Sequence, residues 1–175
     1  MRSQEGFGLI ELLISMTMLN IGILAIVAAF NSGALALRHA GEVSTASVLS
    51  DKQMELYRAL KYGEIALDAT ALATANGDTT YQCDRANMID PTSSCGGANQ
   101  QTQLHKACGT ITPQCNPRQT VRGPDGRAYR VDTYVVSQTP PTGRTVKLVT
   151  IVVRRNQDLR ELARVSSAFD QSSGL

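Results

Sequence analysis

The sequence lacks formal charge from Leu12 to Leu37, a run of 26 residues. At about 1.5 Å per residue, this run would form roughly 39 Å of α-helix. That length is sufficient to cross a bilayer, so we predict a membrane-spanning helix near the amino terminus. A secretory signal peptide is excluded by its proportions, because it would have positive residues first, a shorter apolar stretch next and a small-residue cleavage site after it.

The sequence also has little of what catalysis requires. It contains only two histidines, His39 and His105, and neither a phosphate-binding glycine loop nor a His-Glu-x-x-His motif. A nucleophile and base pair of His105 with Cys108 is conceivable, but a disulfide would remove the thiol, and no third residue orients the pair. We therefore predict that the protein is not an enzyme and uses no cofactor.

Proline and cysteine are absent from the first 80 residues, and all six prolines and all four cysteines follow. Residues 77–118 are rich in Gly, Pro, Asn, Gln, Thr and Ser and show little periodicity, which predicts mostly loop. An even number of cysteines in an exported region favours two disulfides. A four-cysteine zinc site is the alternative, but no Cys-x-x-Cys pair is present. Of the three possible connectivities we favour nearest neighbours, Cys83 with Cys95 and Cys108 with Cys115.

One carboxylate, that of Glu11, directly precedes the uncharged run. An ionised side chain at the bilayer centre costs on the order of 2.5 to 3.5 kcal/mol, and less near its edge, so a partner is expected. If the chain is cut after Gly6, the new amine on Phe7 lies four residues from Glu11, on the same helix face. The two groups can then pair within one chain or between neighbouring chains. The alternative is an uncut signal anchor that tolerates Glu11 at its edge.

These features resemble the amino terminus of type IV prepilins and pseudopilins. A short leader ends at Gly6, Phe7 begins the mature chain, and Glu11 is its fifth residue, followed by an unbroken apolar helix. The resemblance implies that a membrane-embedded prepilin peptidase cuts between Gly6 and Phe7 and that the Phe7 amine is N-methylated. It also implies that Glu11 meets the Phe7 amine of an adjacent subunit during assembly.

Two features depart from the family pattern. The leader has a single basic residue, Arg2, offset by Glu5, so the positive-inside rule encodes the orientation only weakly. Major subunits of the family often have a proline at the twenty-second mature position, which is Ala28 here. A helix break would therefore have to use Gly22 or Gly33, and glycine breaks helices less strongly than proline.

Helical periodicity continues past the apolar run. A mostly apolar stripe recurs at spacings of three and four residues: Ala46, Leu49, Gln53, Leu56 and Leu60. We predict one helix from Phe7 to Tyr62, stopped by Gly63. Residues 7–33 would be its membrane and assembly part, preceded by a leader of residues 1–6. Residues 34–63 would be an amphipathic spine for a soluble head.

After residue 118 the hydrophobic period changes to two, which predicts strands. The predicted strands are Gln119–Arg122, Arg127–Val136, Thr145–Val153 and Leu159–Phe169, with a turn at Gly123-Pro124-Asp125-Gly126. Sequential strands with short links predict an antiparallel meander packed on the spine helix. The expected fold class is α+β and pilin-like. Its head spans residues 64–175, with a disulfide-rich loop region at 64–118 and the sheet at 119–170.

The net charge of +2 does not indicate a nucleic-acid partner. Positive charge is concentrated after residue 116, which suggests either a functional basic patch or an ordinary solvated sheet face. Ten basic residues lie there: Arg118, Arg122, Arg127, Arg130, Arg144, Lys147, Arg154, Arg155, Arg160 and Arg164.

The sequence is interpreted as a minor pilin of a type IV pilus that serves adhesion, motility or DNA uptake. It would be held in the cell membrane with its head outside the cytoplasm, and then inserted into a filament at the cell surface. The resemblance implies as partners other pilin subunits, the prepilin peptidase and methyltransferase, and an inner-membrane assembly platform. The alternatives are a pseudopilin of a type II secretion system and a single-pass anchored binding module that never polymerises.

Overall fold

The computed structural model describes residues 8–171. The chain divides into two compact units, an amino-terminal unit that reaches Gly41 and a head unit that begins at Glu42. The predicted leader and cleavage-site residues, Gly6 and Phe7, lie outside the described residues.

The first element, α1, is a 50-residue helix from Leu9 to Arg58. Its apolar amino-terminal part has no proline and consists mostly of good helix formers. Neither Gly22 nor Gly33 interrupts it, which accords with glycine being a weak breaker. The long helix of the predicted fold class is therefore confirmed.

The end of α1 was predicted at Tyr62, but the helix stops four residues earlier, at Arg58. The chain then tightens, with the Leu60 N–H donating to the Tyr57 carbonyl at 3.1 Å, and a 3-10 turn follows at Tyr62–Glu64. The Lys147 ammonium donates to the carbonyls of Tyr62 and Ile65 at 2.7 and 2.9 Å. A residue far along the chain thus satisfies carbonyls that a continuing helix would have used.

The buried face of α1 differs from the predicted stripe by a small rotation. Its buried residues are Glu42, Ala46, Ser50, Gln53, Met54 and Tyr57. Leu49 and Leu60 only flank the core. Met54 and Tyr57 lie at the centre because they are almost fully buried and are among the largest core side chains.

The predicted antiparallel meander is confirmed. Two short strands come first in the chain, β1 (Leu67–Asp68) and β2 (His105–Lys106). The strands of the meander follow in this spatial order: β3 (Arg118–Arg122), β4 (Ala128–Gln138), β5 (Val146–Arg155) and β6 (Glu161–Phe169). The β-branched residues of β4 and β5 suit a pleated, buried surface. The register pairs Val131 with Val153 and Thr133 with Ile151 on the face toward α1. Gln119 on β3 donates to Gln53 of α1 at 2.9 Å, which fixes helix to sheet.

The opposite face of the sheet is also covered, which the sequence did not predict. Eight consecutive residues of β4, Tyr129–Val136, are buried. The second cover is the segment 64–117, whose Tyr81 stacks on Tyr134 with ring centroids 4.5 Å apart. The Tyr81 hydroxyl also donates to the Thr133 carbonyl at 2.7 Å. The sheet therefore lies between α1 and this covering segment.

The covering segment contains more regular structure than the predicted loop. It holds β1 (Leu67–Asp68), α2 (Ala69–Asn76), α3 (Thr79–Gln82), a 3-10 turn at Gly97–Asn99 and β2 (His105–Lys106), and β1 pairs in parallel with β2. Two disulfides join Cys83 to Cys95 and Cys108 to Cys115. They connect nearest neighbours along the chain and tie down residues 83–115, where few apolar side chains are buried.

Candidate functional site

The amino-terminal unit offers a long apolar surface. Every described residue from Gly8 to Gly41 is exposed. An 18-residue window of α1 has a mean hydropathy of 2.3 and none of it is buried. By length and composition this part of α1 can cross a membrane. Large apolar side chains cover it, among them Leu9, Ile10, Leu19, Ile21, Leu24, Phe30 and Leu37.

Glu11 lies in the first turn of α1. The Glu11 N–H donates to the Gly8 carbonyl at 3.0 Å, so the helix is already formed at this position. A carboxylate in the first turn interacts favourably with the positive end of the helix dipole. Within residues 8–171 no ion pair includes Glu11, and the predicted partner, the Phe7 amine, lies outside them.

Two hydroxyl groups of the amino-terminal unit are bonded within the helix itself. Ser15 donates to the Glu11 carbonyl and Thr17 to the Ile14 carbonyl, both at 2.8 Å. Because these bonds are internal, both residues can face lipid or another helix without an unpaired polar group. Glu11 is the one acidic side chain on this surface among residues 8–41.

In the head, an ion-pair cluster lies on the face of the sheet opposite α1. Its centre is Asp132, which is fully buried. The Arg130 Nε donates to one Asp132 oxygen at 2.7 Å, and the Arg154 Nε to the other at 3.2 Å. Both carboxylate oxygens are thus paired with arginines of β4 and β5, so the charge does not stand alone in the interior.

Two acidic residues of the covering segment extend this cluster. Asp78 accepts hydrogen bonds from Arg130 and Arg118, each at a nearest distance of 3.0 Å. Asp84, whose side chain is 2 % exposed, pairs with Arg154 and with Arg164, the latter at 2.7 Å. We call Asp78, Asp84, Arg118, Arg130, Asp132, Arg154 and Arg164 the ion-pair cluster.

The pKa is lowered for two of the three carboxylates in the cluster, Asp78 and Asp84, whereas burial raises the pKa of Asp132. Hydrogen bonds from Arg130 hold the pKa of Asp78 below its usual value. Burial alone would raise the pKa of Asp84, but hydrogen bonds from Arg164 and from the Ala86 N–H bring it below the usual range. A carboxylate whose oxygens are all occupied by arginine donors is poorly suited to proton transfer. The cluster therefore joins elements of the fold.

The predicted basic region is mostly neutralised by these and similar contacts. Glu42 of α1 pairs with Arg127 and Arg155, which links the helix to the sheet. Among residues 8–171, Arg122, Arg144 and Arg160 form no ion pair. Most of these basic residues therefore pair with acids, several of which lie elsewhere in the chain. A count of charges within residues 116–175 alone could not show this pairing.

The candidate nucleophile and base pair has no free thiol. Cys108 is bonded to Cys115, and the His105 Nδ1 lies 3.1 Å from the Gln103 carbonyl oxygen. A disulfide sulfur cannot act as the thiolate that such a pair needs. Within residues 8–171 no group of three or more His, Cys, Asp or Glu residues could hold a metal ion.

Sequence reasoning missed the two acids that connect the covering segment to the sheet. Asp78 also caps α3, accepting from the Tyr81 N–H at 3.0 Å, and Asp68 caps α2 by accepting from the Ala71 N–H at 2.9 Å. Aspartate is favoured at the position directly before a helix, so Asp68 and Asp78 each carried a helix-start signal in the sequence.

Comparison with known protein families gives one match. Residues 1–28 match the family described as the prokaryotic N-terminal methylation motif. No curated protein and no solved structure matches the chain. The matched residues contain Glu11 and most of the apolar, fully exposed part of α1. The chain carries at its amino terminus the type IV prepilin-type signature.

Proposed function

We propose that the protein is a minor subunit of a type IV pilus, processed by a prepilin peptidase and inserted through its amino-terminal helix into a helical filament. The observation that carries the proposal is the coincidence of the methylation motif at residues 1–28 with an apolar helix surface that is exposed at every residue from Gly8 to Gly41. Both belong to the same segment, and Glu11 lies within both.

The apolar surface supports assembly because it requires a covering environment. Burial of a large aliphatic side chain is favourable by about 1.5 to 3 kcal/mol, and the unit from Gly8 to Gly41 exposes many of them. A membrane covers this surface before assembly, and the helices of neighbouring subunits cover it afterwards. In either state the soluble head remains outside the apolar layer.

Glu11 supports polymerisation over simple anchoring. A membrane anchor gains nothing from a carboxylate beside its apolar run, whereas burial between helices calls for a cationic partner. Cleavage after Gly6 would create such a partner on Phe7, and N-methylation leaves its positive charge in place. An adjacent subunit, displaced by about one helical turn, would then present its Phe7 amine to Glu11.

The pseudopilin of a type II secretion system is the second reading that the same signature supports. Loss of the gene distinguishes the two. If the protein is a pilus subunit, cells without the gene should lose or shorten their surface fibres and export proteins normally. If it is a pseudopilin, those cells should retain exported proteins. The anchored module that never polymerises predicts neither effect.

The assembly role of Glu11 is tested by replacing it with Gln in cells that express the full chain. We expect normal recovery in the membrane fraction, because the change removes a charge from an apolar segment. Recovery in sheared filaments should fall by about tenfold or more, since loss of one partner of a buried charge pair costs about 2 to 5 kcal/mol.

The matched control is Glu55→Gln. Glu55 lies on the same helix but within the head unit, where it is exposed and, among residues 8–171, pairs only with the neighbouring Arg58. It should enter filaments at the wild-type level. Equal incorporation of Glu11→Gln and Glu55→Gln would contradict the assigned role.

A further inference from the structure

A small groove opens on the head between α1, β3 and the loop closed by Cys108 and Cys115. Its volume is about 150 Å³, and Val131, which is 2 % exposed, forms part of its floor. Its lining also includes Leu49, Leu56 and Val121, together with Lys52, Gln53 and Arg122. A cavity of this order accommodates a group the size of a benzene ring, so one aliphatic side chain fits.

The walls of the groove are held in place by hydrogen bonds. The Gln53 side chain donates to the Pro113 carbonyl at 2.8 Å and accepts from Gln119 at 2.9 Å. The loop that carries Pro113 is closed by the disulfide of Cys108 with Cys115. The groove is therefore a formed feature of the fold, which reduces the cost of ordering it on binding.

Two cations flank the apolar groove without ionic partners. Lys52 and Arg122 are exposed, and no ion pair among residues 8–171 includes either of them. This is unusual in a head where most arginines after residue 116 are paired with acids. An apolar floor beneath two unpaired cations is complementary to an aliphatic side chain adjacent to a carboxylate.

The strand edge beside the groove offers free backbone groups to an extended peptide. β3 is an edge strand of the sheet. The Gly123 N–H donates to the Arg127 carbonyl, and the Thr133 N–H to the Pro117 carbonyl, both at 2.8 Å. Because antiparallel pairs alternate, the backbone groups of Thr120 and Arg122 point away from β4. An extended peptide could therefore add to this edge.

We propose that the groove binds an extended segment of a partner protein in which an aliphatic residue adjoins Asp or Glu. The aliphatic side chain enters the groove over Val131, the carboxylate meets Lys52 and Arg122, and the backbone pairs with Thr120. This proposal does not rest on filament assembly, because every residue involved belongs to the head unit.

Peptide selection tests the proposal directly. A random heptapeptide library on phage is selected against the full chain in detergent micelles, with empty micelles used for counter-selection. We expect enrichment of an aliphatic residue next to Asp or Glu. Absence of enrichment over empty micelles, or enrichment of peptides that lack an acidic residue, would overturn the proposal.

Variants assign the binding to the groove. The affinity of the best enriched peptide should fall about 2- to 30-fold in Lys52→Gln/Arg122→Gln, as expected for two exposed charge pairs. Lys61→Gln/Arg144→Gln changes the net charge equally outside the groove and should bind as the wild type does. Replacement of the peptide's aliphatic residue by Ser should weaken binding about tenfold or more. Equal binding to both double variants would overturn the location.

Two further measurements test whether the peptide backbone pairs with β3 and whether a second copy of the chain fills the groove. N-methylation of the peptide amide beside the aliphatic residue should weaken binding about tenfold if the backbone pairs with β3. Sedimentation of the wild type and of Lys52→Gln/Arg122→Gln should show the same mass. Self-association of the wild type alone would mean that a second copy fills the groove, and would overturn a separate partner.

Discussion

Gly123, in the turn between β3 and β4, lies against α1 and against Tyr129. A Cβ atom at this position would lie 2.8 Å from the Thr45 Cγ2 and 2.8 Å from the Tyr129 Cε2. Neither neighbour can move freely, because Thr45 lies on α1 and Tyr129 is 1 % exposed. The residue is required here for space.

Gly123→Ala is expected to reduce the free energy of unfolding by about 1 to 3 kcal/mol, the usual range for overpacking. The control is Gly63→Ala, where an added Cβ meets nothing within 4 Å. Chemical denaturation of both variants measures the effect. Equal stability of the two variants would show that the hairpin can move away from α1.

Asp78 provides a test of the ion-pair cluster through pH. Asp78→Asn keeps an oxygen that can cap α3 but removes the charge that pairs with Arg130 and Arg118. At neutral pH we expect a loss of about 1.5 to 3 kcal/mol in unfolding free energy, as for hydrogen bonds to charged groups.

The sign of the pH dependence follows from the lowered pKa of Asp78, which hydrogen bonds from Arg130 maintain. A depressed pKa stabilises the fold above the unfolded value of about 3.9, and that stabilisation is lost as the pH falls through the folded pKa. The wild type and Asp78→Asn should therefore converge in stability below about pH 4. A difference that is constant from pH 7 to pH 3 would exclude this origin.

At the scale of elements, the covering segment depends on its disulfides more than the sheet does. The Cys83–Cys95 bond closes a separation of 12 residues directly after α3. The neighbouring stretch up to residue 100 is largely irregular and exposed, so it has little apolar burial to hold it.

Cys83→Ala/Cys95→Ala should lower the free energy of unfolding by about 2 to 4 kcal/mol. Hydrogen exchange should accelerate in residues 84–100 and remain slow in β4 and β5, because those strands lie at the centre of the sheet. Equal acceleration in β4 would show that the disulfide supports the whole head.

The strands could be predicted from the sequence because their hydrophobic residues follow a period of two, they are rich in β-branched residues, and turn residues mark their ends. The end of α1 could not, because it depends on Lys147, which lies 89 residues after Arg58 (147 − 58 = 89). The second buried face of β4 was also missed. Arg130 and Asp132 indicate solvent exposure when read locally. Their burial is possible because the fold brings Asp78 to Arg130 and Arg154 to Asp132.

At the scale of the whole molecule, the two units were predicted by different signals. The apolar run around Glu11 was sufficient for the candidate assembly segment, because helix length and charge are local properties. The groove beside β3 was not predictable, because Lys52, Pro113 and Arg122 meet only in the folded head. Local patterns thus identified the membrane-competent helix, and the fold was needed for the surface of the head.

The central claim is that the chain is a processed pilin-type subunit. Mass spectrometry of the amino terminus of the protein, purified from the cells that make it, tests this claim most directly. The account predicts loss of residues 1–6 and a single methyl group on the Phe7 amine. An intact Met1, or cleavage at any other bond, would contradict it.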